Sequence, residues 1–599
     1  MPAVTRRQVL RLLGLSSAGL VVAGCGPATQ PTAAPVAPTN APVGVPTVGS
    51  ASVPPGTVAR TSAAATATTA TTTPATAATA APTTPAVDRT IRLAGGSFGY
   101  PSPFAMTRGG GYLPMSLLFD TLVWRDAEKV QPWLVREWTI SEDNRTYRFR
   151  LRDGLQWADG QPVTADDALF SAEYIAANPI PWTIRLDLIE AGRKIGDRTF
   201  EFRLKETYAP FLDNDMASLP IIPRHIWGEV KDPTKKQDEG ALIGTGPYRL
   251  ESYDKEQGAY LYAARPDYYL GRPYFTRVEM VPVGDILLAL LKGDVDAGSP
   301  DVSVGLTDET LAPFTGDPKF GILAAPGEST TALYFNVGKG APYDDPNLRH
   351  AVAYAIQRDD LVKRILQGKG KPGNPGWLAP SSPWVNPNVE QYPYDPAKAT
   401  SILAANGYLD RDNDGVRETP QGQPLRLEMI LSSATPRPGE LVRDALKAIG
   451  IDLVLRPLDA TALRQQATAG NYTLALIGLS GLGGDPDFVM SFFDSRLTGA
   501  QLFTKVQGYR NPEFEATTDQ QRQMLDPARR KELVFTMQDI LARDLAVLPL
   551  YYPDRLFIYN KHVFDNWYYT PGGWAGGNPG AVNKAVLVTG QKTGLTIRP

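Results

Sequence analysis

The stretch 138–171 is the feature that most constrains how this 599-residue chain can fold. Tyr147, Phe149 and Leu151 alternate with three arginines, which is the period-two pattern of a strand with one buried and one solvated face. Two Asp-Gly dipeptides follow and predict tight turns. Thr164 then precedes residues at helical spacing and suits the N-cap position. The stretch therefore predicts a strand, two turns and a capped helix, which together form a structural module with no chemistry of its own.

The same stretch resembles the signature region of the family 5 extracytoplasmic solute-binding proteins, the peptide and oligopeptide binders of ABC importers. The residues that fit the family pattern are Trp138, Ser141, Asp143, Thr146, Tyr147, Phe149, Leu151, Arg152, Gly154, Trp157, Asp159, Gly160, Pro162, Thr164, Ala165 and Asp167. Segments 119–122, 219–225 and 244–248 resemble the family as well. The resemblance implies an α/β chain with the two-lobed periplasmic-binding-protein fold, in the large class that has an extra subdomain in lobe I.

The N-terminus has the pattern of an export signal. Residues 5–10 (TRRQVL) resemble a twin-arginine motif, and the apolar run 12–22 that follows is too short for a stable membrane span. The run leads into Val-Ala-Gly-Cys, which resembles a bacterial lipobox, and Cys25 is the one cysteine of the chain. We therefore predict a lipoprotein signal peptide over 1–25 and a lipid anchor at Cys25. The alternative is an ordinary signal peptide with an incidental thiol.

Residues 26–87 consist almost entirely of Ala, Thr, Pro, Val, Gly and Ser, with one charge and no aromatic side chain. Such a segment cannot bury enough apolar area to offset its chain entropy, so we predict a disordered linker. The folded part is then predicted as lobe I with its subdomain over 88–325, lobe II over 326–548 and a return to lobe I over 549–599. Alternating strand and helix patterns in the second of these ranges are typical of an α/β layered lobe.

The sequence contains no complete catalytic constellation. Residues 95–99 (GGSFG) fit the letters of G-x-S-x-G, but they belong to a loop rich in glycine and aromatic side chains that we interpret as close backbone packing. There is no H-E-x-x-H and no cysteine nucleophile in the folded part, and only three histidines are present. A net charge of −3 provides no broad basic surface for nucleic acid. We therefore expect a binding protein, most simply a monomer without a cofactor, and no enzyme.

Seven residues are predicted to contact a ligand, on the strength of their side chains and of the family's cleft: Tyr112, Asn336, Trp377, Trp384, Asp485, Asp487 and Trp574. In the family's peptide binders an aspartate just ahead of an Asp-Pro step binds the ligand's α-amino group. Here the residue just ahead of the Asp-Pro step is Gly484, and Asp485 is itself the aspartate of that step. The alternative role of Asp485 is that of a helix N-cap. The alternative for Trp377 and Trp384 is packing in the hydrophobic core.

A D-x-D-x-D-G run resembles the start of a calcium loop. Asp410, Asp412 and Asp414 would provide its first ligands, and Glu418 falls at the ninth position. The twelfth position, which holds a bidentate Glu in an EF-hand, is Gln421 here. The two interpretations are a polar hairpin loop and a weak calcium site.

The resemblance implies that the protein captures a peptide or a similar solute between its lobes and delivers it to an ABC permease and ATPase complex, outside the cytoplasm. One alternative retains the fold with an oligosaccharide or another small solute as ligand. The other alternative is an anchored extracellular hydrolase.

Overall fold

The computed structural model describes residues 88–107, 109–125, 130–182, 184–298, 306–482, 484–497, 505–570 and 580–591. Cys25, the predicted signal and linker, and Trp574 lie outside these ranges. Within them, no helix combines the length and the apolar character that a membrane span requires.

The strands of the described residues are β1 (Thr90–Gly95), β2 (Val123–Arg125), β3 (Val130–Pro132), β4 (Val135–Ile140), β5 (Thr146–Leu151), β6 (Ile189–Gly196), β7 (Thr199–Leu204), β8 (Tyr248–Asp254), β9 (Ala259–Ala264), β10 (Arg277–Pro282), β11 (Ala297–Gly298), β12 (Phe320–Ala325), β13 (Thr330–Phe335), β14 (Gly370–Pro372), β15 (Arg426–Ser432), β16 (Asp452–Leu458), β17 (Leu474–Leu479), β18 (Val547–Pro553) and β19 (Arg555–Asn560).

The helices of the described residues are α1 (Tyr112–Ser116), α2 (Ala165–Ala177), α3 (Arg224–Trp227), α4 (Ile286–Lys292), α5 (Asp308–Thr315), α6 (Pro346–Ala355), α7 (Arg358–Leu366), α8 (Pro396–Ala405), α9 (Arg437–Lys447), α10 (Ala460–Ala469), α11 (Pro486–Met490), α12 (Pro512–Gln523), α13 (Pro527–Asp544) and α14 (Lys584–Thr589).

Two large sheets define two lobes. Lobe I contains a seven-stranded sheet in the order β12-β19-β11-β1-β10-β9-β8, together with a four-stranded sheet in the order β4-β5-β7-β6. Lobe II contains a six-stranded sheet in the order β14-β18-β13-β17-β15-β16. Along β13, Leu333 and Phe335 pack into one core while Ala332 and Tyr334 pack into another. Helices therefore cover both faces of this sheet, as expected for an α/β layered lobe.

The signature stretch forms the predicted module. Strand β5 alternates buried Tyr147, Phe149 and Leu151 with exposed arginines, and it lies in the middle of the four-stranded sheet. Helix α2 begins after Thr164, whose amide donates to the Asp167 carboxylate at 2.9 Å. The Asp167 carboxylate satisfies the Thr164 amide, and its negative charge interacts favourably with the positive N-terminal end of the helix dipole. Both interactions stabilise the start of the helix.

Helix α1 is short and ends at Ser116. The carbonyls of Leu117 and Leu118 accept hydrogen bonds from the amides of Tyr248 and Gly246, at 3.0 and 2.8 Å. A pairing with the 244–248 segment thus replaces the next helical turn. Gly246 has to be glycine because a Cβ there would lie 2.4 Å from the Leu117 carbonyl oxygen.

The chain crosses between the lobes twice, once between β12 and β13 and once between β18 and β19. The second crossing falls at Asp554 rather than at the predicted 549, because Val547–Pro553 is a strand of the lobe II sheet. The two crossings lie against each other: a Cβ on Gly327 would stand 1.6 Å from the Pro553 carbonyl oxygen. Only glycine allows this approach of the two backbones.

The C-terminal helix α14 is attached to lobe I by a buried ion pair. The Lys584 ammonium lies 2.6 Å from the Asp120 carboxylate, and both side chains are fully buried. Burial lowers the pKa of Lys584, and the charge of Asp120 opposes that change. The carboxylate also accepts a bond from the Trp133 indole at 2.8 Å, so both charges have partners.

We expect Lys584→Met to lower the free energy of unfolding by about 3–5 kcal/mol, because it leaves the Asp120 carboxylate buried without its counterion. Urea unfolding of the full chain measures this loss. Arg426→Met is the matched control, since it breaks the exposed Arg426–Asp452 pair and should cost about 0–1 kcal/mol. Equal losses in the two variants would contradict a structural role for the buried pair.

Candidate ligand-binding site

Three strands of lobe I run in the same direction and end at one edge of the sheet. Strand β1 pairs in parallel with β10 on one side and with β11 on the other. Gly95, Pro282 and Gly298 therefore mark one common carboxyl edge. Ligands of open α/β sheets bind in the crevice outside such an edge.

A cavity of about 700 Å³ lies at this edge. Its lobe I wall is largely apolar and includes Leu93, Phe98, Met280, Val283 and Ile286. This volume and this apolar character are typical of a pocket for a small organic solute.

The opposite side of the cavity belongs to the two crossings and to lobe II. Ser329 and Ser480 both line it, and their hydroxyl oxygens lie 2.9 Å apart. Asp554 and Arg555 of the second crossing line it as well. The cavity is therefore located where the two lobes meet, so a bound solute would contact both.

Two polar groups near the crossings have a buried oxygen with no hydrogen-bond partner among the described residues. One is the hydroxyl of Tyr569, a lining residue whose pKa is raised to about 12 by burial, against the charge of Arg555. The other is Glu328 Oε2. Burial raises the pKa of Glu328 to about 7, while the charges of Arg555 and Arg125 oppose the rise. A polar solute group could provide the hydrogen bonds that such oxygens lack.

Two predicted ligand residues lie in the core of lobe II instead of at the cavity. Asn336 is buried, and its amide donates to the carbonyls of Gly470 and Tyr472 at 3.0 and 2.9 Å. Trp377 is 1% exposed and makes edge contacts with two other rings of that core. Both side chains therefore serve packing in this structure, in line with the core alternative for Trp377.

Asp485 takes the N-cap role that the sequence left open. Its carboxylate accepts from the Asp487 amide at 2.8 Å and pairs in bidentate fashion with Arg530, with both contacts at 2.8 Å. The Arg530 guanidinium also lies 5.0 Å from the ring centre of Trp384. Asp485 thus has its own cation inside lobe II, and Trp384 lies over that cation rather than in the cavity.

Asp487 is buried where the lobes touch away from the cavity. Its Oδ2 accepts from the Tyr208 hydroxyl of lobe I at 2.8 Å, and its Oδ1 accepts from Gln521 at 3.0 Å. Arg522 contacts the same oxygen. Each of these contacts is made to protein, so the structure places Asp487 at a contact between the lobes, and solute binding by Asp487 stays a prediction.

Tyr112 begins helix α1, is half-buried and makes an edge contact with Trp182, with ring centres 5.6 Å apart. It is not a lining residue, but the next two residues, Leu113 and Pro114, are. Among the predicted ligand residues that the structure describes, Tyr112 is thus the one that adjoins a cavity-lining residue in sequence.

Sequence reasoning missed the main polar lining residues, namely Ser329, Ser480, Arg555 and Tyr569. None belongs to a motif. Ser329 and Arg555 lie next to the crossings along the chain, and this position is the signal that could have identified them, because a cleft between lobes has to lie beside the segments that join the lobes. Ser480 and Tyr569 do not adjoin a crossing along the chain, and only the fold brings them to the cavity.

The predicted calcium loop brings three of its four carboxylates together. Oxygens of Asp410, Asp412 and Glu418 lie within 4.8 Å of one another. Asp414 is not part of this group, and its carboxylate accepts from the Val416 amide at 2.7 Å. Glu418 in turn accepts from the Arg411 amide at 2.8 Å. Calcium binding therefore stays a prediction.

Asp215 lies close to the contact between Tyr208 and Asp487 and is fully buried. One carboxylate oxygen accepts from the Arg185 amide at 3.0 Å, and the other has no partner among the described residues. Burial raises the pKa of Asp215 to about 8, and the negative charge of Asp487 contributes to the rise. The folded protein therefore holds this carboxyl in its protonated form at neutral pH.

Comparison with known proteins places the chain among solute-binding proteins. Residues 129–500 match the model for the middle region of the bacterial extracellular solute-binding proteins, family 5. The heme-binding protein A of Haemophilus influenzae is 26% identical over 454 residues, which are 70% of this chain and 78% of that protein. The dipeptide-binding protein of Escherichia coli is 26% identical over 60% of this chain and 69% of its own length.

Among solved structures, a mannohexaose-bound periplasmic oligopeptide-binding protein of an ABC transporter from Thermotoga maritima is similar in fold. The TM-score is 0.65 at 25% identity, and the match covers 82% of this chain and 96% of that one. The two-lobed architecture is thus shared over nearly the whole length of that protein.

We expect Asp215→Asn to become increasingly stabilising relative to the parent protein as the pH rises. The folded protein retains a proton on Asp215 that the unfolded chain releases at much lower pH, so the parent loses stability between about pH 4 and its folded pKa of about 8. The asparagine variant has no such loss. The difference in unfolding free energy should grow by about 1 kcal/mol or more between about pH 5 and pH 8, as measured by urea unfolding.

Asp143→Asn is the control, because hydrogen bonds from Ser141 and Arg145 lower the pKa of that exposed carboxyl. Asp143 is therefore ionised in both the folded and the unfolded chain from about pH 5 to pH 8, and the effect of this substitution on the unfolding free energy should stay constant over that range. A difference for Asp215→Asn that is constant over this range would show that Asp215 is ionised in the folded protein.

Proposed function

Since the chain belongs to the bacterial extracellular solute-binding proteins of family 5, we propose that it captures peptides or a similar solute in the cavity between its lobes. The loaded protein then delivers the solute to the membrane permease and ATPase complex of an ABC importer. The site that we assign to the solute is the cavity at the carboxyl edge of β1, β10 and β11.

The position of this cavity is the observation that carries the proposal. Its walls come from lobe I, from both crossings and, through Ser480, from lobe II. A solute that contacts both lobes binds the closed arrangement more tightly than the open one, and it therefore shifts the population towards closure. Closure is also the signal that a permease can read, and no bond of the solute has to break.

The polar part of the cavity bears on the class of solute. Asp485, the candidate for binding an α-amino group, is neutralised by Arg530, so a peptide's N-terminus needs another acceptor. Two carboxylates are candidates: Asp554, which lines the cavity, and Glu328, whose unpartnered oxygen lies at the first crossing beside the lining residue Ser329. A short peptide with an apolar side chain against Phe98 fits this arrangement.

An oligosaccharide is the second candidate. The serine pair, the Tyr569 hydroxyl and the Phe98 ring are groups that hydrogen-bond and stack on sugars. The mannohexaose held by the Thermotoga maritima protein, at 25% identity, supports this class for a member of the same fold.

We expect Ser480→Trp to weaken solute binding at least tenfold, because the indole occupies cavity volume that the solute needs. Ser480 is exposed, so the larger side chain should leave the lobe II core intact. Native mass spectrometry of the purified full chain identifies any co-purified solute. Calorimetric titration with a tripeptide, a pentapeptide and mannohexaose then measures the affinity of each protein.

Ser433→Trp is the matched control, because Ser433 is exposed in lobe II but does not line the cavity. Unchanged affinity in the Ser480→Trp variant would place the solute elsewhere. Failure of the parent protein to bind any of the three probes, with no co-purified solute, would contradict both solute classes.

We also propose that Cys25 carries a lipid that anchors the protein to the outer face of the cell membrane, with 26–87 as a tether. The support is the sequence: one cysteine in the whole chain, at the position that the lipobox pattern requires. Such a tether would allow the folded part to reach a permease in the same membrane.

We expect Cys25→Ser to move the protein from the detergent phase to the aqueous phase in a Triton X-114 partition of expressing cells, because no thiol remains to accept the lipid. Ser62→Ala, within the tether, should leave the partition unchanged. A Cys25→Ser protein that still partitions into detergent would exclude the lipid anchor.

A further inference from the structure

We propose that Tyr208, Ala209, Asp487 and Arg522 form a lobe latch, a contact that holds the lobes closed without solute and thereby sets the solute affinity. The latch lies away from the cavity, and none of its residues lines it. The inference about affinity rests on the proposed function, whereas the closed contact itself does not.

The latch consists of two hydrogen bonds that cross from lobe I to lobe II. The Tyr208 hydroxyl donates to Asp487 Oδ2 at 2.8 Å, and the Ala209 amide donates to the Arg522 carbonyl at 2.6 Å. A weaker exposed contact follows, in which the Gln523 amide lies 3.3 Å from a Glu206 carboxylate oxygen. Asp487 of α11 and two successive positions at the end of α12, Arg522 and Gln523, thus meet one short segment of lobe I.

The lobe II half of the latch is organised without lobe I. Asp487 lies in the first turn of α11, and its carboxylate is held by Gln521 and Arg522 of α12. Because its charge is neutralised within its own lobe, opening does not expose an unpaired carboxylate. Of the contacts to the Asp487 carboxylate, opening of the lobes removes the hydrogen bond from the Tyr208 hydroxyl.

The lobe I half is equally fixed. Tyr208 is 1% exposed, its ring belongs to the lobe I core, and the Arg185 guanidinium lies 5.9 Å from the ring centre. Burial and the nearby Asp487 raise the pKa of Tyr208 well above its usual range, so the hydroxyl keeps its proton and remains a donor. Two prearranged surfaces therefore meet, and closing them costs little side-chain entropy.

A contact of this kind changes affinity without touching the solute. The apparent dissociation constant of a solute that needs closed lobes is its intrinsic constant divided by the closed fraction of the free protein. A buried hydrogen bond to a charged group typically shifts such an equilibrium by about tenfold or more. Tyr208 and Asp487 are thus residues that determine affinity from outside the cavity.

The test is hydrogen–deuterium exchange of the full chain without solute, read at the Ala209 amide through overlapping peptides. In the parent protein this amide should exchange at least about tenfold more slowly than its unprotected rate. Tyr208→Phe should accelerate the exchange by about tenfold, since the closed state loses its charge-assisted bond. The Leu204 amide, bonded to the Arg145 carbonyl within lobe I at 2.7 Å, should not change.

Tyr392→Phe is the matched control, because its hydroxyl donates at 2.8 Å to the Ala542 carbonyl within lobe II. It should leave Ala209 exchange unchanged. An Ala209 amide that is unprotected in the parent protein would overturn the latch, and this reading requires no variant to fold. An unchanged rate in a folded Tyr208→Phe protein would overturn it as well.

The latch and the proposed function can fail separately. The exchange measurement uses no solute, so it reports on the latch even if every titration fails. If solute binds and the latch exists, Tyr208→Phe should also weaken that solute's affinity by the factor by which it lowers the closed fraction. An affinity that is unchanged despite faster Ala209 exchange would retain the contact and refute its role in affinity.

Discussion

The contact between the two crossings is the constraint on which the rest of the structure depends. Gly327 of the first crossing and the Pro553 carbonyl at the second approach so closely that no side chain fits between them. The two crossings therefore act together as one narrow connection between the lobes. Ser329, Asp554 and Arg555 lie within two residues of this contact, so it also fixes the polar end of the cavity. Because the connection is narrow and double, the main motion left to the lobes is rotation of one relative to the other about the two crossings. The groups beside the crossings move least in such a rotation.

Buried charges in this protein are positioned to join segments that are distant in sequence. Lys584 meets Asp120, Arg530 meets Asp485, and Arg522 meets Asp487. Such pairs add little net stability compared with apolar packing, because desolvation offsets most of the attraction. What they provide is a definite arrangement, since each buried carboxylate has one largely buried cation beside it and loses that counterion if the cation is displaced.

The local elements could be predicted because their patterns are local. The alternation in β5 and the capped start of α2 are determined by residues within a few positions of each other, and the strand and helix alternation of lobe II follows in the same way. Asp485 could not be assigned, since its role depends on Arg530, which lies 45 positions away. The role of Asp487 depends on Tyr208, which is 279 positions away. Trp377 was selected for its ring, but burial, which no local pattern reports, determines where that ring points.

The attachment of α14 to Asp120 has a consequence for the order in which the protein is made. Lobe II uses one continuous stretch of chain, whereas lobe I needs β19 and α14 to complete its sheet and to neutralise Asp120. A ribosome delivers these elements after every residue of lobe II. Lobe II can therefore fold during synthesis, while lobe I has to wait with an unfinished sheet edge and an unpaired carboxylate until β19 and α14 emerge.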